Sequence, residues 1–328
     1  MKRILVTGGA GFIGSHIVEE CQHRCEVRVL DNFRTGKREN LAGLRCELIE
    51  GDIRDRAAVA DAVKGVDHVF HLAALVSVPE SMEKITECNE INALGTITLL
   101  EEAAKAGVEK LVLSTSAAVY GDNPVSPKVE TMAPAPKSPY AITKLEDEYY
   151  CGMFAETGRL RTACLRYFNV FGPRQDPRSA YAAAVPLFIS RALAGEALTI
   201  FGDGGQTRDF VYVKDIVAAN LFMAESACTG VYNMAYGGKI TIRELAETIV
   251  KLTGSRSEIL HLPERPGDIR HSLAATEKIR STGFVPSWDF RRGLAETIAS
   301  YRRTSGRAGA SGKVSPAERQ ELSREKRS

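Results

Sequence analysis

The sequence predicts an α/β protein: a doubly wound parallel sheet followed by a smaller α/β C-terminal lobe. Short β-rich runs alternate with helical stretches through the first half of the chain. Repeats of strand, helix and strand form parallel sheets with helices on both faces. A glycine-rich turn also follows the first run, where a strand would pass into a helix. After about Gly172 the pattern changes to helices separated by short β-like pieces and Gly/Pro turns.

The first-half elements follow one another in a regular order. Strands are predicted at Arg3–Thr7, Glu26–Leu30, Cys46–Glu50, His68–Leu72, Lys110–Thr115 and Arg161–Tyr167. Helices are predicted near Phe12–Cys21, Asp55–Val63 and Glu90–Lys105, and a further helix precedes the last of these strands. We therefore expect a Rossmann-type domain over residues 1–172, with later segments interleaved in its sheet.

The second lobe is predicted over residues 173–303. Its helices are expected near Ala182–Leu193, Lys214–Ala227 and Ile242–Thr253. Residues 304–328 are rich in Gly, Ser, Ala, Arg, Lys and Glu and have few large apolar side chains. Such a composition cannot bury enough apolar surface to fold, so we expect a disordered tail there.

Composition excludes several classes of protein. The 328 residues are 44% hydrophobic and 26% charged, with a formal net charge of +2, as in ordinary globular proteins. No long basic block occurs in the body of the chain, so no nucleic-acid partner is expected. The N-terminal apolar run is too short for a signal peptide and no stretch of 18 apolar residues exists, so we expect no membrane segment and a cytoplasmic location. The seven cysteines show no disulfide or metal-ligand pattern, and no metal site is expected.

A dinucleotide site is predicted at the end of the first strand. The turn Gly8-Gly-Ala-Gly-Phe-Ile-Gly14 follows that strand and opens a helix. Its glycines permit a tight turn and a close approach of backbone to pyrophosphate, and the helix N-terminus offers free N–H groups. Asp31 lies about twenty residues on, where a carboxylate accepts hydrogen bonds from the adenosine ribose. Because Asp31 would repel a 2′-phosphate, NAD is favoured over NADP, although Arg34 weakens the distinction. The alternative is a turn that needs its glycines for geometry alone.

Two more strand ends lie at the same edge, where doubly wound sheets bind their ligands. Asp52 closes the third strand within reach of the adenine, and small residues after the fourth strand let the cofactor lie close. Asn92 is expected to act as a polar group behind the cofactor, with a buried helix residue tied to backbone as the alternative. The residues of these segments expected to contact NAD are Gly8, Gly11, Phe12, Ile13, Gly14, Asp31, Asn32, Gly36, Asp52, Ile53, Leu72, Ala73, Ala74 and Asn92.

Tyr140 and Lys144 stand four residues apart in Ser138-Pro-Tyr-Ala-Ile-Thr-Lys144. Four residues make about one helical turn, so on a helix the phenol and the ammonium lie on the same face. A positive charge near a phenol favours the phenolate, and a tyrosine so tuned can take a proton from a hydroxyl and give it back. The alternative is an exposed helix face without a chemical role.

Three segments together carry a resemblance to a known family. The strand end Ser114-Thr-Ser-Ala-Ala-Val-Tyr-Gly121, the Tyr140-x-x-x-Lys144 pair and Tyr167-Phe-Asn-Val-Phe-Gly-Pro173 resemble the extended short-chain dehydrogenase/reductases, and most of all the nucleotide-sugar 4-epimerases. The resemblance extends over about residues 2–303. It implies that Tyr140 is the acid/base, that Lys144 holds the nicotinamide ribose and tunes the tyrosine, and that Ser116 binds the sugar O4. Tyr140, Lys144 and Tyr167 complete the implied cofactor contacts.

The same resemblance implies a nucleotide-sugar site in the C-terminal lobe. It places arginines on a diphosphate and a carboxylate on the uridine ribose, which suits the chemistry of those groups. For each arginine alone the alternative is a surface salt bridge. The residues implied, besides Ser116 and Tyr140, are Ser77, Asn169, Val185, Phe201, Arg208, Arg265, Asp268 and Ser272.

The positions after Ser116 bear on the reaction. Related 4,6-dehydratases carry Asp-Glu there, and related decarboxylases carry a Glu, whereas this chain has Ala117 and Ala118. A methyl group cannot supply a proton, so we expect an NAD-dependent 4-epimerase of UDP-hexoses. In the family that the chain resembles, a bulky residue at the position of Ser272 narrows the pocket against an N-acetyl group. The resemblance therefore implies that the small Ser272 leaves room for a 2-acetamido group, which favours UDP-GlcNAc and UDP-GalNAc without excluding UDP-Glc and UDP-Gal.

The sequence leaves two alternative functions open. A UDP-uronate (UDP-glucuronate) 4-epimerase would need a cation facing the C6 carboxylate, which the sequence does not place. A non-catalytic NAD-binding regulator could dispense with the Ser–Tyr–Lys set, which this chain keeps.

The resemblance also implies a homodimer through a four-helix bundle formed by segments near Glu90–Lys105 and Tyr140–Ala155, although their apolar residues could equally pack within one subunit.

Overall fold

A seven-stranded sheet carries the fold. The computed structural model describes residues 1–177, 183–264 and 270–311, the last seven of them by backbone alone. In this part of the chain the strands are β1 (Arg3–Thr7), β2 (Glu26–Asp31), β3 (Glu47–Glu50), β4 (His68–His71), β5 (Lys110–Ser116), β6 (Arg161–Tyr167), β7 (Asn169–Phe171), β8 (Leu198–Phe201), β9 (Thr207–Arg208), β10 (Phe210–Tyr212), β11 (Gly230–Met234), β12 (Ile240–Thr241) and β13 (Ile259–Leu262).

Helices cover both faces of this sheet and build the second lobe. They are α1 (Phe12–Cys21), α2 (Arg56–Ala62), α3 (Val78–Glu83), α4 (Ile85–Asn89), α5 (Gly95–Lys105), α6 (Pro139–Glu156), α7 (Ala184–Ala194), α8 (Val213–Glu225), α9 (Ile242–Thr253), α10 (Glu277–Ser281) and α11 (Phe290–Ser311). A π-helical turn, Glu90–Leu94, joins α4 to α5. None of the described helices is both long and apolar enough to span a bilayer.

The sheet has the doubly wound order β11-β6-β5-β4-β1-β2-β3, and every neighbouring pair is parallel. The chain winds outward in one direction through β2 and β3 and in the other through β4, β5 and β6. The direction changes between β1 and β4, and that switch point is where open α/β sheets bind ligands. The predicted fold class is therefore confirmed, and each predicted first-half strand ends within one residue of its observed bounds.

Burial on both faces explains why the strands are apolar throughout. In β1, Ile4 and Val6 point to the face covered by α1 and α8, whereas Leu5 points to the face covered by α5 and α6. All three side chains are fully buried. A strand exposed on one face would alternate apolar and polar residues. The continuous apolar pattern of these strands therefore indicates helices on both faces of the sheet.

The C-terminal lobe has its own core, in which α7, α9 and α11 pack around β8 and β10. Strand β11 of the seven-stranded sheet comes from this half of the chain. It was not among the predicted strands, although later segments were expected to be interleaved in the sheet. The helix α11 continues to Ser311, past the predicted boundary at residue 303. The rest of the predicted tail, residues 312–328, lies outside the described residues.

A buried carboxylate joins the lobe to the sheet. Asp209 has no exposed surface and accepts the backbone N–H groups of Tyr236, Gly237 and Ala274 at 3.1 to 3.2 Å. Burial raises the pKa of Asp209 to about 6, and the backbone donors oppose that rise. These bonds fix the loop after β11 and the segment after residue 270 beside β9 and β10.

Candidate functional site

A cavity of about 830 Å³ opens at the carboxyl ends of β1, β2, β4 and β5. Segments that are distant in sequence meet there because parallel strands end at one edge of the sheet. The predicted residues that line the cavity are Gly8, Gly11, Phe12, Ile13, Gly14, Asp31, Asn32, Gly36, Asp52, Ile53, Leu72, Ala73, Ala74, Ser116, Tyr140 and Tyr167.

The glycine turn after β1 leaves no room for a side chain at Gly8 or Gly14. Gly8 has a positive φ of 68°, and a Cβ atom there would lie 2.8 Å from the backbone nitrogen of Ala73. A Cβ atom on Gly14 would collide with the carbonyl oxygen of Gly8. The helix α1 begins at once, with Gly11 at its N-cap and no side chain capping it. Its unused N–H groups therefore suit an anion, and the turn fits the pyrophosphate of a dinucleotide.

Asp31 is held rigidly at the end of β2. Its carboxylate accepts the backbone N–H groups of Ala10 at 2.9 Å and Phe33 at 2.8 Å. Burial raises the pKa of Asp31, and these two hydrogen bonds lower it. The carboxylate lines the cavity at the predicted place for an adenosine ribose.

Arg34 does not offer a free cation beside Asp31. Its guanidinium bonds Glu80 on α3 at 2.8 Å and also pairs with Glu87 on α4. Hydrogen bonds to Glu87 are the largest cause of the raised pKa of Arg34. A 2′-phosphate would have to break these pairs, so the structure removes the ambiguity that Arg34 creates in the sequence.

Asp52 is charged and fixed near the same end of the cavity. It accepts a hydrogen bond from Asn32 Nδ2 at 2.9 Å and pairs with Arg54 at 2.8 Å. Hydrogen bonding to Arg54 holds the pKa of Asp52 well below its usual range. The site therefore keeps a carboxylate there across the physiological range.

The helix α6 brings Tyr140 to the cavity. Ser138 caps the helix by accepting the N–H of Ala141 at 3.2 Å, and Pro139 occupies its first turn. The backbone N–H of Tyr140 bonds Ser81 Oγ at 3.3 Å. Tyr140 is half-buried and lines the cavity together with Ser116, whose hydroxyl accepts the N–H of Ala118 at 3.1 Å.

Lys144 lies one turn further along α6, on the side away from solvent. It is 3% exposed, and its Nζ is 3.5 Å from Asp147 Oδ2. Lys144 stands behind the residues that line the cavity rather than among them. The predicted one-turn spacing of Tyr140 and Lys144 on a helix is present in α6.

Asn92 also lies behind the cavity. Its Oδ1 accepts the N–H of Leu75 at 2.7 Å, and its Nδ2 donates to the Leu75 carbonyl at 3.1 Å and to Thr143 Oγ1 at 3.0 Å. The alternative of a buried helix residue tied to backbone thus describes Asn92. It fastens the loop after β4 to α6, and so holds two parts of the cavity wall together.

The residues predicted to bind a nucleotide sugar are spread over the loops beyond this cavity. Ser77 caps α3 by accepting the N–H of Glu80 at 3.2 Å. The backbone N–H of Ser272 bonds the carbonyl of Thr207 at 3.1 Å, which places Ser272 beside Arg208. The described part of the cavity lining does not include Ser77, Asn169, Val185, Phe201, Arg208 or Ser272. Arg265 and Asp268 lie outside the described residues.

Several lining residues were missed by the sequence analysis. Lys37 pairs with Asp176, and Arg174 bonds Ser15 at 3.0 Å, so two loops close over the glycine turn. These pairs span more than a hundred residues of sequence, and no local pattern signals them. Among the described residues, no group of three or more His, Cys, Asp or Glu side chains is placed to hold a metal ion.

Comparison with known proteins agrees with this geometry. The sequence model of the NAD dependent epimerase/dehydratase family matches residues 4–235. A putative UDP-glucose 4-epimerase from Methanocaldococcus jannaschii is 37% identical over 298 residues, covering 90% of this chain and 97% of that protein. A UDP-N-acetyl-alpha-D-glucosaminuronate decarboxylase from Bacillus cytotoxicus is 36% identical, covering 92% and 98%. The solved UDP-N-acetylglucosamine 4-epimerase from Methanobrevibacter ruminantium, in complex with UDP-N-acetylmuramic acid, has a TM-score of 0.90, 43% identity and coverage of 92% and 99%.

The tight glycine turn gives a test of dinucleotide binding. We expect Gly14→Ala to lower the affinity for NAD by about tenfold or more, because the added methyl group collides with the Gly8 carbonyl and displaces the anion-binding turn. Calorimetric titration of NAD measures the change. The matched control is Gly152→Ala on α6, where no atom outside the chain neighbours and the local helix backbone lies within 4 Å of the added methyl group. Wild-type affinity in a folded Gly14→Ala protein would show that NAD binds elsewhere.

Proposed function

The chain belongs to the NAD dependent epimerase/dehydratase family and is an enzyme of the isomerase class, and we propose that it interconverts UDP-hexoses by inversion at C4. One observation carries the proposal: Tyr140 and Ser116 line the same cavity as the glycine turn and Asp31. A proton-transfer group and a hydroxyl binder thus stand in one space with the residues that fit NAD.

Each residue then has a distinct chemical task. Bound NAD supplies a reversible acceptor for the C4 hydride. Tyr140 takes the proton of the C4 hydroxyl and later returns it, while Ser116 holds that oxygen by a hydrogen bond. Lys144 places a positive charge one turn behind the phenol and favours its ionised form. Rotation of the keto sugar between the two transfers inverts C4 without net oxidation.

Elimination and decarboxylation are disfavoured by the surroundings of Ser116. The next two side chains are Ala117 and Ala118, half-buried on a short 3-10 turn, and neither can donate a proton. The carboxylates in the described part of the cavity lining belong to Asp31, Asp52 and Asp176. All three are held by partners in the turn and loops around the adenosine end, which leaves Tyr140 as the proton carrier beside Ser116.

The preferred sugars are UDP-GlcNAc and UDP-GalNAc, with UDP-Glc and UDP-Gal also accepted. Ser272 is small and half-buried, and its backbone is fixed to β9 beside Arg208. A 2-acetamido group needs space at that position, which a serine leaves. The solved UDP-N-acetylglucosamine 4-epimerase, 43% identical, supports this choice. The alternative substrate is a UDP-uronate such as UDP-glucuronate.

We further propose that the enzyme acts as a homodimer. Ile142, Tyr149 and Met153 recur on α6 at spacings of seven and four, so they share one face of the helix. They and Leu94 of the π-helical turn are 44% to 65% exposed, which is unusual for large apolar side chains on neighbouring helices. A second copy of the chain, presenting the same face, would bury them in a four-helix bundle.

Product analysis and one variant test the reaction. Incubation with UDP-GlcNAc, UDP-Glc and UDP-GlcA is expected to yield the C4 epimers of the first two. Tyr140→Phe should lower the rate about 10² to 10⁴-fold, the usual contribution of a general acid/base, without loss of NAD. The control is Tyr150→Phe, further along the same helix. A pentose or a 4-keto-6-deoxy product would reject epimerisation, and turnover of UDP-GlcA alone would favour the uronate alternative.

The size of residue 272 tests the choice of sugar. We expect Ser272→Tyr to lower kcat/KM for UDP-GlcNAc at least about tenfold more than for UDP-Glc, because the ring occupies the space of the acetamido group. Ser272→Ala serves as the control and should leave both substrates unaffected. An equal loss on both sugars after Ser272→Tyr would place Ser272 away from C2.

Sedimentation velocity tests the dimer. Wild-type protein is expected at twice the chain mass of 35.7 kDa, and Met153→Asp should shift it toward the monomer by placing a charge in the buried bundle. Val285→Asp adds the same charge to a somewhat more exposed apolar residue outside these helices and should leave the dimer intact. A monomeric wild type would contradict the proposal.

A further inference from the structure

A buried chain of hydrogen bonds starts behind the cavity wall. Thr7 Oγ1, at the end of β1, lies 2.7 Å from His71 Nδ1 at the end of β4. His71 Nε2 in turn lies 2.9 Å from Thr96 Oγ1 on α5. The Thr7 hydroxyl also accepts the backbone N–H groups of Leu72 and Ala73, at 3.3 Å each. Because Leu72 and Ala73 line the cavity, the chain begins directly behind the cofactor wall.

Asp147 on α6 lies near Thr96, where this chain of hydrogen bonds ends. It has no exposed surface. Burial raises the pKa of its carboxyl, and the nearby Lys144 and Thr96 side chains oppose that rise. One carboxyl oxygen, Oδ2, is 3.5 Å from Lys144 Nζ. The other, Oδ1, has no hydrogen-bond partner among the described residues. A carboxylate so buried is costly, and Lys144 is the cation that pairs with it.

The hydrogen bonds from Thr7 through His71 to Thr96 have one donor-to-acceptor direction in which each proton is used once. Burial lowers the pKa of His71 to about 3, so its ring is neutral and carries a single N–H. The Thr7 oxygen accepts the N–H groups of Leu72 and Ala73, so its own hydroxyl proton points to His71 Nδ1, and the N–H of His71 Nε2 donates to Thr96 Oγ1. The Nδ1 atom of His71 is then an acceptor, and this tautomer is assigned from the network.

We propose that Asp147 is a positioning residue for the catalytic pair: its buried carboxyl holds the Lys144 ammonium and thereby sets how strongly Lys144 polarises Tyr140. The proposal rests on the proposed function in taking Tyr140 as the proton carrier. It adds a residue that the sequence motif does not mark, since Asp147 lies three positions beyond the lysine.

The surrounding charges decide the sign of the effect. Burial raises the pKa of Asp147 to about 6, so above that pH its negative charge offsets the positive charge of Lys144. Burial also raises the pKa of the nearby Cys88 thiol, and a hydrogen bond with Cys151 together with burial raises the pKa of the Cys164 thiol, so both are neutral at the same pH. Removing the Asp147 charge thus leaves the Lys144 charge unopposed and favours the phenolate of Tyr140. The titratable groups facing the pair are Cys88 from α4, His71 from β4, Cys164 from β6 and Glu146 of α6.

Titration of the Tyr140 ring tests the proposal without turnover. The full-length protein with bound NAD, carrying ¹³C at the tyrosine ring carbon that bears the hydroxyl, is followed by NMR as a function of pH, and Tyr140→Phe assigns the signal. In Asp147→Asn, Tyr140 should ionise about one pH unit lower than in the wild type. Asp147→Glu keeps the charge and should titrate like the wild type. The matched control, Glu146→Gln, makes the same charge change at the neighbouring, half-buried residue and should move the midpoint by less than about a third as much.

A second neutral variant, Asp147→Ser, must give the same downward shift as Asp147→Asn and serves where the asparagine variant does not fold. In active enzyme the acidic limb of the kcat profile should move down by the same amount. An unchanged or raised Tyr140 midpoint in the neutral variants overturns the proposal. Because the NMR readout needs only bound NAD, the absence of epimerase activity in the wild type would reject the proposed function and leave this result interpretable.

Discussion

The helix α6 must be locked against the edge of the sheet for Tyr140 to act, as proposed, at a fixed place beside the cofactor. A buried ion pair provides one lock. Glu148 on α6 accepts Arg166 Nε at 2.9 Å and Nη2 at 2.7 Å, and also the hydroxyl of Thr115 at 2.8 Å. A bidentate, desolvated pair of this kind fixes geometry as well as contributing energy. Asn92 provides a second lock, because it bonds Thr143 on α6 and the backbone of Leu75 after β4.

The cavity follows from that placement. Tyr140 reaches it from α6, Ser116 from the end of β5, and the glycine turn from β1. Each of these segments is held by the next: Gly8 packs against Ala73, and Asn92 ties Leu75 to α6. Tyr140 and the glycine turn are therefore parts of one continuous cavity wall. This arrangement suits a reaction in which a proton and a hydride leave the sugar together and both return.

The sequence predicts the sheet and the cofactor turn well, for physical reasons. Strands buried on both faces are apolar throughout, and the glycines of residues 8–14 are required by local geometry, so both signals are contained in short segments. The bonds of Thr7 to His71 and of His71 to Thr96 were not predicted, because their partners lie 64 and 25 residues apart. The pairing of β11 with β6 was also missed, because these two strands lie far apart in the sequence. Asn92 was placed near the cofactor by sequence, and its role behind the wall appeared only with its partners Leu75 and Thr143.

The proposed reaction removes hydride from C4 and returns it to C4 inside one site. Its most direct test is conversion of UDP-GlcNAc carrying deuterium at C4, with the product analysed by mass spectrometry and NMR. We expect the UDP-GalNAc formed to keep the deuterium at C4, with none lost to water and no reduced nicotinamide released. Loss of the deuterium to solvent, or its appearance at another carbon, would contradict a mechanism in which Tyr140 carries only the proton and bound NAD holds the hydride.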